Sequence, residues 1–512
     1  MSSSPRYAPH VRSVRAVLVA LTALAALALG VPAAASAKKP PEPQVYIVSH
    51  RSPPASIPAN VHYSSTIQGA VNQTVAGDWV LIEPGTYDEE VTVTTAHSGI
   101  WIRGMNRNTV IVDGRHKVGN GFDVVKANNV WIENLTVRNF EFGEGCEVES
   151  CGNEIWWNGG ADSGKIGAHG WYGNYLTAYE TGMRGGYGIF TNNETEGEFE
   201  NIYASGFADS GLYIGACQEC KATVTGAEME DNALGYSGSN SGGRLVVERS
   251  RFAHNTVGYA TNSENPGDPP PPQDGECNRP EIPTTPTPII TSTRISRCTV
   301  IRKDEFIDND NLSVPTNGST EVAPWGVGVE IPGDYADQVE LDTISGNPND
   351  GVLGFEYPNP FPLPPFCEPA GSCGTIDFQF SGNKINNNWF AHNGSGGGAF
   401  AGDIAMLSGA GEWLDENFGF EYGPAASVNN CLQANHLSDA VYPANGERTW
   451  NCSNKTTPDV GGGEAGVFYL LGLIEEADTI RAEHPPVGQP APPPQPTMPK
   501  PCSGVPKNPL CK

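Results

Sequence analysis

Basic residues are scarce in this 512-residue chain. Its 30 lysines and arginines stand against 58 aspartates and glutamates, a formal charge of −28, which excludes the electrostatic attraction that nucleic acids and anionic membrane surfaces require. Long apolar runs are scarcer still. After "VLVALTALAALALGV" at residues 17–31, no stretch approaches the roughly twenty apolar residues of a membrane-spanning helix. The motifs Gly-X-Ser-X-Gly and His-Glu-X-X-His are missing, so neither a nucleophile-elbow hydrolase nor a helix-borne zinc peptidase is indicated.

What is present points to export. Arg6, Arg12 and Arg15 precede the apolar run and "AAASA" closes it at Ala37, the three parts of a secretory leader. The mature protein is therefore expected to start near Lys38, to be secreted, extracellular or in the cell envelope, and to keep no membrane span. The 12 cysteines fit such an oxidising compartment. Proximity suggests local pairs: Cys146 with Cys151, Cys217 with Cys220, Cys277 with Cys298, Cys367 with Cys373, Cys431 with Cys452, and Cys502 with Cys511. Spacing alone does not fix this connectivity.

The stretch "YGIFTNNETEGEFENIYASGFADSGLYIGACQEC", residues 187–220, has too many glycines for an ordinary strand and no helical period. Its rhythm is a repeat. Phe190, Tyr213, Tyr236 and Tyr259 recur every 23 residues, Asp209, Asn232 and Asn255 share that period, and Met229 with Phe252 and Glu228 with Arg251 repeat it. A unit this short cannot hold two packed helices, whereas three short β segments and three bends fit it. Stacked coils of this kind form a parallel β-helix, with equivalent residues about 4.8 Å apart. An aromatic ladder is then expected inside, an asparagine ladder at a bend, and Glu228 and Arg251 opposite one another across adjacent layers. "RFAHN", "EFIDN" and "WFAHN" extend the series to Phe252, Phe306 and Phe390 and to Asn255, Asn309 and Asn393, with "CLQAN" at 431–435 as a last variant. Residues 97–114 and 128–139 read as early coils.

The segment "STIQGAVNQTVAGDWVLIEPGTYDEEVTV", residues 65–93, resembles the start of right-handed β-helix proteins of the pectin-lyase-like superfamily. In those proteins a short helix caps the open end, and the first strand leads into a Pro-Gly-Thr-Tyr turn that Pro84, Gly85, Thr86 and Tyr87 match. The resemblance implies an all-β fold, a right-handed parallel β-helix with short helical caps and long Pro-rich, disulfide-pinned loops. The divisions expected are a leader at 1–37, an N-terminal extension at 38–62, the β-helix at 63–455, a C-terminal helix or cap at 456–484 and a Pro-rich tail at 485–512. Ile67, Ala70 and Val71 should face the core from the front helix, and a helix over 464–482 should cover the last coil. The Pro-rich stretches 266–288 and 358–369 read as loops, and the tail as extended or disordered. The superfamily's "vWiDH" lyase motif is absent, as is the paired-aspartate and Arg-X-Lys pattern of its galacturonan hydrolases. The solenoid alone does not fix an activity.

Enzymes of this superfamily place their groups on the outer face of a sheet, which directs attention to two stretches. In "NNETEGEFEN" the alternating Glu194, Glu196, Glu198 and Glu200 should share a face if extended, with Glu219 one repeat beyond Glu196, an array of oxygen donors for Ca2+. The plainer alternative is a solvated strand face. The glycine-rich residues 158–188 supply Trp171, Tyr172 and Tyr175 as sugar-binding rings, and Arg184, His169 and Lys165 as groups able to abstract a proton. Those rings could equally anchor the loop. His254 and His392 hold equivalent places in the two "FAHN" copies and read as fold residues. Three functions stay open: a glycan-active enzyme, such as a calcium-assisted polysaccharide lyase or a related glycan-modifying enzyme; a non-catalytic β-helix module that binds glycans or protein partners; and a helper protein of metal-enzyme maturation, a class that uses similar Asn-rich repeats. A monomer without an organic cofactor is expected.

Overall fold

Short apolar segments bounded by Gly and Asn pair side by side in parallel, as their length and punctuation dictate. In the computed structural model, residues 42–148, 150–160, 165–263, 297–316, 320, 323–359, 376–419, 427–454 and 456–511 are described. Pro43–Lys512 forms one compact unit and Met1–Glu42 a second. The leader, the 266–288 loop, most of 358–369, and Cys277, Cys367 and Cys373 lie outside the described residues.

One sheet has 11 strands in strict chain order, from Val91–Thr94 to Val441–Tyr442, each hydrogen-bonded only to the strands one coil before and after. That order is the mark of a solenoid with one rung per coil. A second sheet of 21 strands covers the other two sides. Its strand Val130–Glu141 pairs with both Trp101–Gly104 and Val110–Val118, so it turns a corner without losing the ladder. The result is a parallel β-helix with the right-handed sense that parallel crossovers take. Phe252, Phe306, Ile344 and Phe390 stack in register through its interior, none more than 1% exposed.

The corners are held by side chains that accept hydrogen bonds from the coil above. Along one corner the backbone N–H of Asn232 donates to Asn255 Oδ1 at 3.0 Å, that of Asn255 to Asn309, that of Asn309 to Asn347 and that of Asn347 to Asn393, each of these three at 3.2 Å. A second ladder runs Ser250, Asp304, Asp342, Asn388, Asn435, and a third Thr299, Asp337, Asn383, Asn430. Each rung satisfies a buried backbone donor that a bend would otherwise orphan. Burial holds the carboxyls of Asp304 and Asp342 well above the ordinary range, and that of Asp337 at about 7.

Several expectations are corrected here. The aromatic series is two ladders. Phe190 pairs with Tyr213 in an outer cluster with Tyr187, whereas Tyr236 and Tyr259 stack in the interior with ring centroids 4.2 Å apart. Tyr213 stands beside Ser237, because the intervening coil carries one extra residue, and a one-residue slip turns a side chain to the opposite face. Asp209 lies within the strand Phe207–Gly215, and it is the Phe207 N–H that donates to Asn232 Oδ1. The "CLQAN" segment extends the row of Lys384–Asn386, its Asn435 serving the second ladder. Glu228 and Arg251 do stand side by side, and Arg251 pairs more closely with Glu230. The expected 38–62 extension contributes two strands, Val45–Val48 and Val61–Ser64, to the first layer of the larger sheet.

Helix α1 (Ile67–Val71) buries Ile67, Ala70 and Val71 in the main core, capped by the Thr66 side chain. Helices α2 (Ala410–Phe418), α3 (Gly446–Thr449) and α4 (Gly463–Glu483) follow the later coils. Beside α3, Trp450 joins the same core as Leu432. Helix α4, the helix expected over the last coil, instead lies along the outer face of the smaller sheet: its Tyr469 and Leu473 cluster with Leu234, Val257, Val327, Leu353 and Leu407. Tyr469 there donates to Asp350 Oδ2 at 2.7 Å. Among the described residues no helix is long and apolar enough to cross a membrane.

The tail is extended but docked. Gln489 donates to the carbonyl of Ser313, Asn108 to that of Gln495, Arg107 to that of Pro496, Arg103 to those of Pro501 and Ser503, and Asn60 to that of Lys507. It therefore runs back from the end of α4 to the first layer, where Val505, Leu510 and Cys511 pack with Trp79 and Trp101. The described disulfides are Cys146–Cys151, Cys217–Cys220, Cys431–Cys452 and Cys502–Cys511. Cys298 is also disulfide-bonded.

Candidate functional site

The residues singled out from sequence do not form one site. Trp171 is fully buried against Phe199, and a Cβ at Gly197 would lie 1.9 Å from its indole, so this ring fills the core and is closed to sugars. Tyr172 is half-exposed, the last ring of an outer stack Trp79, Trp101, Trp131, Tyr172 with spacings of 4.9, 4.3 and 4.5 Å. The ring faces are spent on one another along this stack. Tyr175 turns a corner with φ 53°.

The four glutamates do not converge either. Glu194 is buried, both its oxygens lack a hydrogen-bond partner, and burial pushes its carboxyl well above the ordinary range. Glu196 bends the chain in the left-handed region, φ 66°, which breaks the alternation. It is exposed, with Lys221 Nζ 3.6 Å away, and Glu219 pairs with both Lys221 and Arg244. Glu198 is exposed in register with Tyr172. Lys165 and His169 are exposed, the latter paired with Thr195. Arg184 is separated from them by the strand Gly185–Asn192, eight residues or roughly 25 Å, so it cannot share a substrate atom with His169.

The Arg184 carbonyl instead accepts from the N–H of Phe142, next to Glu141, at 2.8 Å, and Glu141 belongs to a group that its spacing in sequence does not reveal. Among the described residues, His116, Glu141 and Glu180 are the one group of three metal-ligating side chains whose ligand atoms all lie within 4.8 Å of one another. Three successive coils supply them. The strand Val110–Val118 is irregular between Asp113 and Lys117, where Arg115 and His116 both take φ 57° and swing the imidazole out of the ladder. Glu141 ends the strand Val130–Glu141, and Glu180 follows Trp171–Tyr179. His116 Nδ1 stands 3.0 Å from Glu141 Oε1 and 3.2 Å from Glu180 Oε1.

Burial grades the site. His116 is exposed, Glu141 half-buried and Glu180 fully buried. Burial raises the Glu180 carboxyl to about 7, against the opposing pull of the Gly182 N–H and His116. Glu154, fully buried, accepts from the Phe140 N–H at 3.1 Å, and burial followed by the Glu180 charge holds its carboxyl well above the ordinary range. One oxygen each of Glu154 and Glu180 has no hydrogen-bond partner. Gly182 keeps the site open: a Cβ there would lie 2.9 Å from Glu180 Oε1, 3.1 Å from Glu141 Oε1 and 3.4 Å from His116 Nδ1.

One imidazole nitrogen with two carboxylates suits zinc or manganese better than calcium, which takes six to eight oxygens. Arginines surround the group. Arg138 is committed to Asp113 at 2.7 Å and Tyr179 at 2.6 Å, and Arg115 to Asp88 at 3.0 Å. Arg184 is exposed, and its Nη1 lies 3.8 Å from the position a Cβ at Gly143 would take. The three ligands lie 25 and 39 residues apart, without a local motif; the one sequence signal was Arg115-His116-Lys117, an Arg-X-Lys triplet without its paired aspartates.

No family profile matches this sequence, and no curated protein does. Among solved structures, the chain is similar to the A-module of mannuronan C-5 epimerase AlgE4 from Azotobacter vinelandii, with 11% identity, a TM-score of 0.39, and coverage of 72% of this chain and 91% of that one. It is similar to pectin methylesterase PemA from Erwinia chrysanthemi at 11% identity and TM-score 0.34, covering 68% of this chain and 89% of that one. A lacto-N-biosidase from Eubacterium ramulus is matched at 10% identity and TM-score 0.34 over 78% of this chain and 67% of that one.

Proposed function

We propose that the protein is exported and acts on glycans, with a divalent metal held by His116, Glu141 and Glu180 and an anionic sugar anchored by Arg184. The convergence of three ligand atoms within 4.8 Å, beside a glycine that leaves them uncovered, carries this reading. A bound divalent ion would neutralise a uronate carboxylate and make the adjacent C–H more acidic. The acidic surface makes such a cation necessary, since the protein's own charge repels a polyanion. Arg184 belongs to the anion and not to the metal, because its guanidinium donates only. Calcium, expected from an all-carboxylate face, is the weaker choice for a group that includes an imidazole. Calorimetric titration with Zn2+, Mn2+ and Ca2+ tests the site, and an absorbance screen for unsaturated products over acidic polysaccharides tests the chemistry. No binding of any of the three ions at millimolar concentration would remove the metal reading.

One observation favours the non-catalytic alternative. The tail lies over the outer face of the larger sheet and takes donors from Arg103 and Arg107 that would otherwise face an incoming ligand. An exported module whose broad face is already occupied would bind partners at its edges. Metal binding without turnover of any acidic or neutral glycan is the result that would select it.

A further inference from the structure

Between the outer face of the smaller sheet and the pair α2 and α4 lies a cavity of about 510 Å³, far from His116 and its neighbours in the fold. Its walls are apolar: Ala260 and Phe355 from the sheet, Trp413 and Leu414 from α2, Leu470 and Ile474 from α4. Neutral polar groups such as Thr261 and Asn262 and two carboxyls, Glu330 and Glu356, also line it, and among the described residues no lysine, arginine or histidine does. Glu330 sits in the outward row between Ala260 and Leu353, is 5% exposed, and its Oε2 has no hydrogen-bond partner. A buried carboxyl facing apolar walls carries a desolvation cost that a hydrogen-bond donor or a cation would offset. Here the described wall supplies neither to that oxygen.

We infer that this cavity binds an organic cation, a molecule with an apolar body and one substituted ammonium group, with Glu330 as the counter-charge and Trp413 as the ring beside the cation. The volume falls in the range of small-molecule sites. The two carboxyls are the titratable groups of the described lining, so a cation is the charged ligand whose charge this wall can answer. An indole face attracts a substituted ammonium through its quadrupole while tolerating the apolar substituents that exclude water. A neutral apolar molecule would fill the space and leave Glu330 Oε2 unanswered.

The test uses the mature protein and three probes of like size: phenylbutyl-trimethylammonium, 4-phenylbutanol and 5-phenylpentanoate. Calorimetry should show saturable binding of the cation, weaker binding of the alcohol and none of the carboxylate, with a shift in tryptophan emission on binding the cation. Glu330→Gln should weaken the cation about thirty-fold and leave the alcohol unchanged. Ala260→Leu fills the cavity from the sheet side and should abolish binding of both the cation and the alcohol, which decides the matter if the first variant does not fold. Equal affinity for cation and alcohol, full cation affinity in Glu330→Gln, or no saturable binding of any probe would overturn the assignment.

Discussion

Gly488 of the tail packs against Thr181 so closely that a Cβ on it would lie 2.2 Å from the Thr181 carbonyl oxygen. The same turn carries Gly182 and follows Glu180, so the tail is fixed beside the metal-ligating group by a contact that only glycine permits. Gly488→Ala should lift this segment, with faster amide exchange and easier proteolysis across residues 485–498 and a fall of a few degrees in Tm. Unchanged exchange would show that the tail is held elsewhere.

The corner ladders make a sharper test. Asn309 donates from Nδ2 to the Phe252 carbonyl at 3.2 Å and to Asn347 Oδ1 at 3.0 Å, and accepts from Asn255. Asn309→Ala orphans groups in two coils and should cost about 2 to 4 kcal/mol in denaturant unfolding. Asn309→Asp should recover much of this at pH 5, where a protonated carboxyl can imitate the amide, and little at pH 8.

Natural aspartate rungs predict the pH dependence of the whole fold. Buried Asp337 is raised to about 7, and Glu330 and Asp350 to about 8, whereas an unfolded carboxyl titrates near about 4. From about pH 4 to 8 the folded chain thus holds more protons than the unfolded one, and stability falls as pH rises. Asp113 opposes this: burial resists its ionisation, but hydrogen bonds from Arg115 and Arg138 outweigh burial and lower it, so its contribution is present at neutral pH and lost in acid. The raised groups are the more numerous. Thermal melts should give a Tm several degrees higher at pH 5 than at pH 8, and Asp304→Asn with Asp342→Asn should narrow the gap.

The two aromatic pairs should respond differently to truncation. Tyr236→Ala leaves a cavity under Tyr259 and should cost about 3 to 5 kcal/mol. Tyr213→Ala removes a ring from the outer cluster, where neighbours and solvent can close in, and should cost less than half as much. Equal losses would place both rings inside.

For the metal group, His116→Ala and Glu180→Gln should each weaken binding of Zn2+ or Mn2+ at least ten-fold, and Gly182→Ala should do the same by occupying the open side. Lys165→Ala and His169→Ala should leave it unchanged, being roughly 25 Å away along the strand Gly185–Asn192. A loss confined to the latter pair would return the site to the sequence-based position.

The repeat was legible because a solenoid writes its geometry into spacing: Phe252 and Phe306 stand in register although a long insertion separates them in sequence. Face was less legible. Tyr213 and Tyr236 keep the period but not the side, as one extra residue in a coil is invisible to a search for spacing. The site was the least legible of all. Glu194, Glu196 and Glu198 looked like a face because alternation assumes an unbroken strand, and a left-handed bend at Glu196 cancels it. His116, Glu141 and Glu180 come from three coils of unequal length, so only the stacking brings them together.

A solenoid is a one-dimensional object in which each coil touches only its neighbours, and such chains unravel from their ends. The tail changes that dimensionality. By joining Lys507 to Asn60 and Gln489 to Ser313, it ties the first layer to the later coils, so fraying at either end must also peel the strap from the flank. Because the strap follows every coil in the chain, N-to-C emergence lets the coils stack freely before the clasp closes over them. Assembly is then sequential and disassembly concerted, which gives the fold persistence through a slow first step of unfolding.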